Sequence, residues 1–318
     1  MQSLRNAVVF STTVSLLGSM GCATSGPSPE ELAAMEEQSP ARRTEEKLTN
    51  ALNSKIRTKK EKARGRDRHP LITMTFFGLE DTMKVIELQP GWGWYTKVLG
   101  PVLADQGKLT VAMGDPAGPD TDYAARQARY VMKQKEKHPA ELGKVETLVL
   151  NTSGDINLGP AGSADMVLSI RCLHTWMANG YADKMLAAVK NVLRAGGTFA
   201  VEGHRADPGK TDPVKGYVAE ADAIKLIEAA GFKFDAKTEF NANARDTKDH
   251  PMGVYSLPPT LTPAGAKEGA IAEDGDSDSD DDSAGVSGGG GGGAAAERAK
   301  FIAIGESDRF TLRFKKPE

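Results

Sequence analysis

The stretch Met83-Lys84-Val85-Ile86-Glu87-Leu88-Gln89-Pro90-Gly91-Trp92-Gly93-Trp94-Tyr95-Thr96 decides the fold. It opens with a short apolar strand, Met83 to Leu88, that stops at Pro90-Gly91. Gly91 and Gly93 then directly precede a segment, Tyr95 to Ala104, with apolar residues at helical spacing (Tyr95, Val98, Leu99, Val102, Leu103). Glycines at a strand-to-helix turn let the backbone approach a ligand closely, and the amino end of the following helix favours an anionic group. A glycine pair alone is equally a tight connection; its place after a strand and before a helix points to a ligand loop.

The same alternation recurs downstream. Lys108 to Met113 reads as a second strand between Gly107 and Gly114, Tyr123 to Lys137 as a helix, Val145 to Leu150 as a third strand and Asp165 to Ile170 as a fourth. Tyr181 to Leu193 is an amphipathic helix ending at the stop signal Gly196-Gly197, and Thr198 to Val201 is the fifth strand. A helix over Ile224 to Ala230 and a closing strand pair, Phe232 to Phe240 and Arg309 to Lys315, complete the pattern. Strands alternating with helices imply an α/β fold, a mostly parallel sheet covered on both faces. Ligands of such sheets sit beyond the carboxyl ends of the strands, so chemistry is expected in the loops that follow them.

Upstream, the first 22 residues read as an address. Arg5 supplies a positive start, and the apolar run Ala7 to Leu17 is too short to span a bilayer of about 30 Å. Small residues then lead to Cys22, as in a secretory signal peptide. The end resembles a bacterial lipobox, with Ser19 standing where leucine is usual. Lipidation at Cys22 would make the protein an exported lipoprotein held at a membrane surface, on the periplasmic face, with no spanning helix; plain secretion is the alternative. Residues 23–66 read as a charged tether, with a short helix around Glu30 to Glu37. The basic run Lys55 to Arg68 is expected to be solvated.

Composition narrows the classes further. The 318 residues carry a formal net charge of -3, which gives no general attraction to nucleic acid. Cys22 and Cys172, the only cysteines, make neither a disulfide framework nor a metal site, and Cys172 is expected to be a buried free thiol. Residues 261–297 read as a disordered insert, acidic and glycine-rich with six consecutive glycines. Its Asp274, Asp276 and Asp278 suggest a calcium loop only superficially, since Ser279 and Gly285 stand where Gly and Glu are needed. This leaves residues 67–260 and 298–318 as the folded domain.

Strand, Glu-x-x-Pro-Gly-x-Gly-x-Tyr-Thr, helix is similar to the first motif of class I S-adenosylmethionine (SAM) dependent methyltransferases. The chain looks closest to a bacterial group of predicted, often exported, methyltransferases. Further matches are Arg68-His69-Pro70, Phe76-Phe77-Gly78, Leu173-His174-x-Trp176, Leu193-x-Ala195-Gly196-Gly197, His204-Arg205-Ala206, Leu257-Pro258-Pro259-Thr260 and Asp308-Arg309-Phe310-x-Leu312-x-Phe314. The resemblance implies a Rossmann-like class I methyltransferase fold, a mostly parallel seven-stranded sheet with an antiparallel last strand. It also implies SAM as cofactor and a small-molecule acceptor. Glu87, Pro90, Gly91, Gly93 and Tyr95 would form the cofactor loop, with Glu87 meeting the methionine amino group. Asp115 would stand nearest the ribose and Asp155 near the adenine. Turn chemistry is the plainer role for both aspartates. The usual first motif has a glycine where this chain has Gln89.

For the chemistry, methyl transfer needs in-line geometry and a base for the acceptor's proton. His174 follows the fourth strand and His204 the fifth, which makes them the candidate catalytic residues; structural hydrogen bonding is the competing role. His204 with Glu202 and Arg205 also reads as a polar network fixing the loop. His69, His174 and His204 lack the spacing of a metal site. Trp92, Trp94 and Trp176 are expected to roof the cleft. A non-catalytic, small-molecule-binding envelope lipoprotein is the alternative reading, and a purely structural envelope component the third.

Overall fold

The computed structural model describes Ser28, residues 39–265 and residues 292–318. The chain divides into two units, Met1–Gln38 and Ser39–Glu318, and the elements below belong to the second. In chain order they are α1 (Pro40–Asn53), α2 (Lys59–Ala63), α3 (Gly65–Arg68), α4 (Pro70–Phe77), β1 (Lys84–Leu88), α5 (Thr96–Leu103), β2 (Lys108–Met113), α6 (Tyr123–Lys137) and α7 (Pro139–Leu142). Then come β3 (Glu146–Val149), β4 (Ala164–Ile170), α8 (Leu173–Ala178), α9 (Ala182–Val192), β5 (Leu193–Ala206), β6 (Val218–Ala219), α10 (Glu220–Ala229), β7 (Lys233–Thr238), α11 (Gly292–Ile304) and β8 (Arg309–Lys315).

The strands order as β3-β2-β1-β4-β5-β8-β7, with the two-residue β6 beside β5. β1 to β5 pair in parallel, and β8 runs antiparallel between β5 and β7. This is the mostly parallel, seven-stranded α/β sheet with an antiparallel last strand that the sequence predicts, with one short strand added. The chain builds outward through β1, β2 and β3, then returns to lay β4 against the other side of β1. That reversal opens a crevice beyond the carboxyl ends of β1 and β4, where ligands of open α/β sheets bind.

Alternation along the strands assigns the two faces. Val85, Val111, Met166, Leu168 and Ala200 pack with α1, α4, α5 and α6 through Leu48, Met74, Phe77, Val98, Val102 and Val131. Ile86, Leu88, Val167, Phe199 and Phe314 pack with α8, α9 and α10 through Trp176, Met185, Val189 and Ile227. Both layers of helices are therefore fixed by strand residues one position apart. By the same alternation Glu87 falls on the face that α5 covers.

Two boundaries differ from expectation. β5 is far longer than Thr198 to Val201, because it is paired on both sides: with β4 as far as Glu202 and with β8 as far as His204. His204 therefore lies within the strand rather than after it. The tether gives way at Pro40, and residues 40–66 are largely helical and packed. Ser39 caps α1, its Oγ accepting from the Arg42 amide at 3.2 Å, and Leu48 and Ala51 join the core. The basic run Lys55 to Arg68 is not a solvated face either: Arg57, Glu61 and Arg68 are buried. The address and Cys22, the helix around Glu30 to Glu37 and the aspartate run lie outside the described residues. So does the insert, apart from its edges: 261–265 are described, and α11 starts at Gly292. Among the described residues no helix is long and apolar enough to cross a membrane.

Residues 150–163, between β3 and β4, contain no helix. A cavity of about 320 Å3 lies there, lined by Lys84, Lys108 and Glu146 at the amino ends of β1, β2 and β3 and by Pro160 and Ser163. It sits at the edge of the sheet away from the crevice.

Candidate functional site

The loop from β1 into α5 is shaped by its backbone. Gly91 and Gly93 have φ of 60° and 76°, left-handed values that any Cβ would strain. A Cβ on Gly91 would meet the Gln127 amide only at an ordinary 3.5 Å, so it is the backbone conformation, not crowding, that calls for glycine here. Pro90 closes the turn, its carbonyl accepting from the Gly93 amide at 3.1 Å. Gln89 shares the left-handed conformation at φ 47°, which explains why glycine is usual at this place. Its side chain holds the conformation. Oε1 accepts from Trp176 Nε1 at 2.6 Å, and Nε2 donates to Tyr181 Oη at 3.2 Å. Trp92 packs edge-on against Tyr123 and Tyr130 over the outer side of the loop.

Glu87 is buried on the last turn of β1, and its Oε2 accepts from Thr96 Oγ1 at 2.7 Å. Burial pushes its carboxyl up to about 7, against which the Thr96 hydroxyl acts. It is the one polar side chain of β1 directed into the core. Such a group is costly unless something at the crevice meets it.

His174 opens α8 just beyond β4, and His204 stands near the carboxyl end of β5. The fold brings their rings to 5.2 Å between centroids. His204 Nδ1 lies 2.5 Å from Ser307 Oγ, and His174 Nε2 lies 3.3 Å from both Thr175 Oγ1 and Tyr255 Oη. Burial lowers His174 to about 4 and, with His174 itself and Arg171 nearby, holds His204 well below the ordinary imidazole value. Both rings are therefore neutral at pH 7. His204 Nε2 and His174 Nδ1 have no hydrogen-bond partner among the described residues and can take a proton.

Beside the histidines lies a buried cluster of charges joining the two ends of this unit. Glu306 meets Arg64 Nε at 2.9 Å, Arg68 Nε at 2.9 Å, Arg171 Nη1 at 3.4 Å and Arg309 Nη1 at 2.6 Å. Burial alone would raise its carboxyl, but these guanidiniums hold it well below the carboxylate range. Glu202 faces Arg309 Nε at 3.1 Å and accepts from Asn241 Nδ2 at 3.3 Å. Glu202 thus anchors β5 through Arg309. Arg205 instead reaches Glu239 at 2.6 Å, so the network expected among His204, Glu202 and Arg205 runs to other partners.

Trp94 does more than roof the cleft. Its indole is clamped between the guanidiniums of Arg57 and Arg68, 4.6 and 4.5 Å from the ring centre, and Nε1 donates to the Glu61 carbonyl at 3.1 Å. Tyr95, read as part of the cofactor loop, is buried with its hydroxyl in the field of Glu202, Arg68, Arg309 and Arg171. Asp115 and Asp155 are exposed on the loops after β2 and β3, the same sheet edge as Gly91. The Asp115 Oδ1 accepts from the Ala117 amide at 2.8 Å, which is turn chemistry. Cys172 is a free, buried thiol, pushed up to about 12 by burial. Arg171, Tyr255, Glu306 and Ser307 have no role in the sequence reading. Arg68 and Arg309 stand in matched motifs, which was the one local signal; Glu306 is 238 residues from Arg68.

No family model matches the chain, and no curated protein matches it. Solved structures do. The [4+2]-cyclase SpnF is 12% identical, covers 92% of this chain and 97% of its own, and superposes with a TM-score of 0.50. A SAM dependent methyltransferase from Aquifex aeolicus is 20% identical over 54% of this chain and 82% of its own, with a TM-score of 0.44. A SAM-dependent methyltransferase from Methanosarcina mazei is 12% identical over 77% and 97%, with a TM-score of 0.43. At these identities the likeness is one of fold. The arrangement is a Rossmann-like α/β sheet.

Proposed function

We propose that this chain is a SAM-dependent methyltransferase acting on a small-molecule acceptor. The observation that carries the reading is the crevice loop: a buried carboxylate, Glu87, one turn before two left-handed glycines, at the reversal of strand order. Fold alone does not suffice, since the solved structure that superposes with a TM-score of 0.50 is a [4+2]-cyclase. The residues present fit the cofactor. Glu87 supplies a negative charge for an ammonium, and Gly91 and Gly93 leave backbone bare for close approach. SAM, when bound, would supply an electrophilic methyl group on a sulfonium to the acceptor's lone pair.

The chain's own residues do the rest. Ser307 fixes His204 through Nδ1 and leaves Nε2 to receive the acceptor's proton, with His174 beside it. Trp92 and the Gln89–Trp176–Tyr181 contacts stiffen the loop, so that the reacting groups are held rather than gathered. Titrating the full chain with S-adenosylhomocysteine tests the reading. Micromolar binding that weakens at least about tenfold in Glu87→Gln is expected; a folded protein that binds neither this product nor SAM rejects it. The address remains part of the proposal, with lipidation at Cys22 placing the domain at a membrane surface in an exported compartment. Metabolic labelling with a fatty acid that is retained by Cys22→Ser would overturn that part.

A further inference from the structure

The buried cluster beside the histidines is out of balance. Three guanidiniums, Arg68, Arg171 and Arg309, face two carboxylates, Glu202 and Glu306, and Arg64 reaches Glu306 as well. Asp67 pairs with the exposed Arg66, Nε at 3.4 Å. Excess buried charge is costly unless something compensates it. The imbalance shows on Arg68, which burial and the charges of Arg171 and Arg64 together lower to about 9.

Among the described residues, Arg68 Nη2 and Tyr95 Oη have no hydrogen-bond partner; both atoms are fully buried, on residues only 2% and 3% exposed. A guanidinium can only donate, so the group that completes Arg68 must be an acceptor, and the surplus of positive charge selects an anionic one. Arg171 opens the cluster outward. It follows β4 directly, at the crevice, and its side chain is 24% exposed. Its φ of 61° is a left-handed strain that a non-glycine residue keeps only when its surroundings impose it. Gln89, directly after β1, is bent in the same way, so both strands flanking the reversal of order end in a turned residue.

We propose that Tyr95, Arg68 and Arg171 form an oxyanion subsite that binds a carboxylate or phosphate of the methyl acceptor, making the acceptor an anionic small molecule. The inference rests on the methyltransferase reading for the word acceptor, while the subsite itself does not. Placed there, the anion lies beside the His174–His204 pair, so the rest of the molecule reaches the candidate base.

Calorimetric titration of the full chain with malonate and with inorganic phosphate, each with and without saturating S-adenosylhomocysteine, tests it. At least one anion is expected to bind in both conditions. Tyr95→Phe, which keeps the ring and its packing, and Arg171→Gln should each weaken that binding about tenfold, and Arg171→Gln, which lies outside the cofactor loop, should change S-adenosylhomocysteine affinity less than about twofold. No heat from either anion with folded wild-type protein overturns the proposal. So does competition between the anions and S-adenosylhomocysteine, with both variants losing the nucleoside, because the guanidiniums would then hold the cofactor's own carboxylate. Anion binding without any S-adenosylhomocysteine binding sinks the methyltransferase reading and leaves the subsite standing.

Discussion

Glu87 keeps a proton more readily than an ordinary carboxylic acid because burial strips its charge of water, and that has a measurable sign. A ligand that meets Glu87 as a carboxylate must bind the ionised form, so its affinity rises as pH climbs through about 7, the value burial sets. Below that point each unit of acidification should weaken S-adenosylhomocysteine binding up to about tenfold, and above pH 8 the affinity should level off. Calorimetry in buffers of different ionisation heat should also register proton release near pH 6. A flat profile, with no proton released, would take Glu87 out of the cofactor site. The motif made Glu87 readable in the sequence, but its burial was not, because that depends on Thr96 and on the α5 helix lying over it. Ala at this position would remove a hydrogen-bonded core group, which makes Gln the informative substitution.

At the scale of elements, the N-terminal helices are the part that the sequence misreads. Their charged composition suggests a tether, since a run from Lys55 to Arg68 can only be called solvated when its partners are unknown. Those partners are the Trp94 indole, which Arg57 and Arg68 enclose, and Glu306 far along the chain. Trp94→Ala should therefore cost about 3–5 kcal/mol in urea unfolding, and amide exchange across α1 to α4 should quicken. Trp92→Ala, at the half-exposed rim of the loop, should cost much less. Equal costs would mean that the clamp contributes no more than ordinary burial. Elements with their own periodicity were legible nearly to the residue, as with Lys108–Met113, Tyr123–Lys137 and Arg309–Lys315. β5 was underestimated because its length is set by its neighbours on both sides rather than by its own apolar run.

For the molecule as a whole, the flanks of the insert meet in one small apolar cluster, Leu257, Phe301 and Ile304 with Leu261 against them. Because that cluster already holds the flanks near each other, shortening the chain between them should change the closure entropy only slowly. Replacing residues 266–291 with a short glycine–serine linker should move the melting temperature by less than about 3 °C. A deletion carried on to Glu297 should cost more, since it removes the first turns of α11. A large loss from the shorter replacement would show that the segment packs. The mostly parallel sheet and the loops beyond its strands were readable from alternation alone; the strand order and the cluster at Glu306 were not, because they join residues that no local pattern relates. That junction also sets a schedule. A ribosome delivers Arg64 and Arg68 long before Glu306, which follows them by 242 and 238 residues. Until Glu306 is made, Arg64 and Arg68 lack the carboxylate that joins them, so this cluster can close only once the chain has been synthesised past that residue.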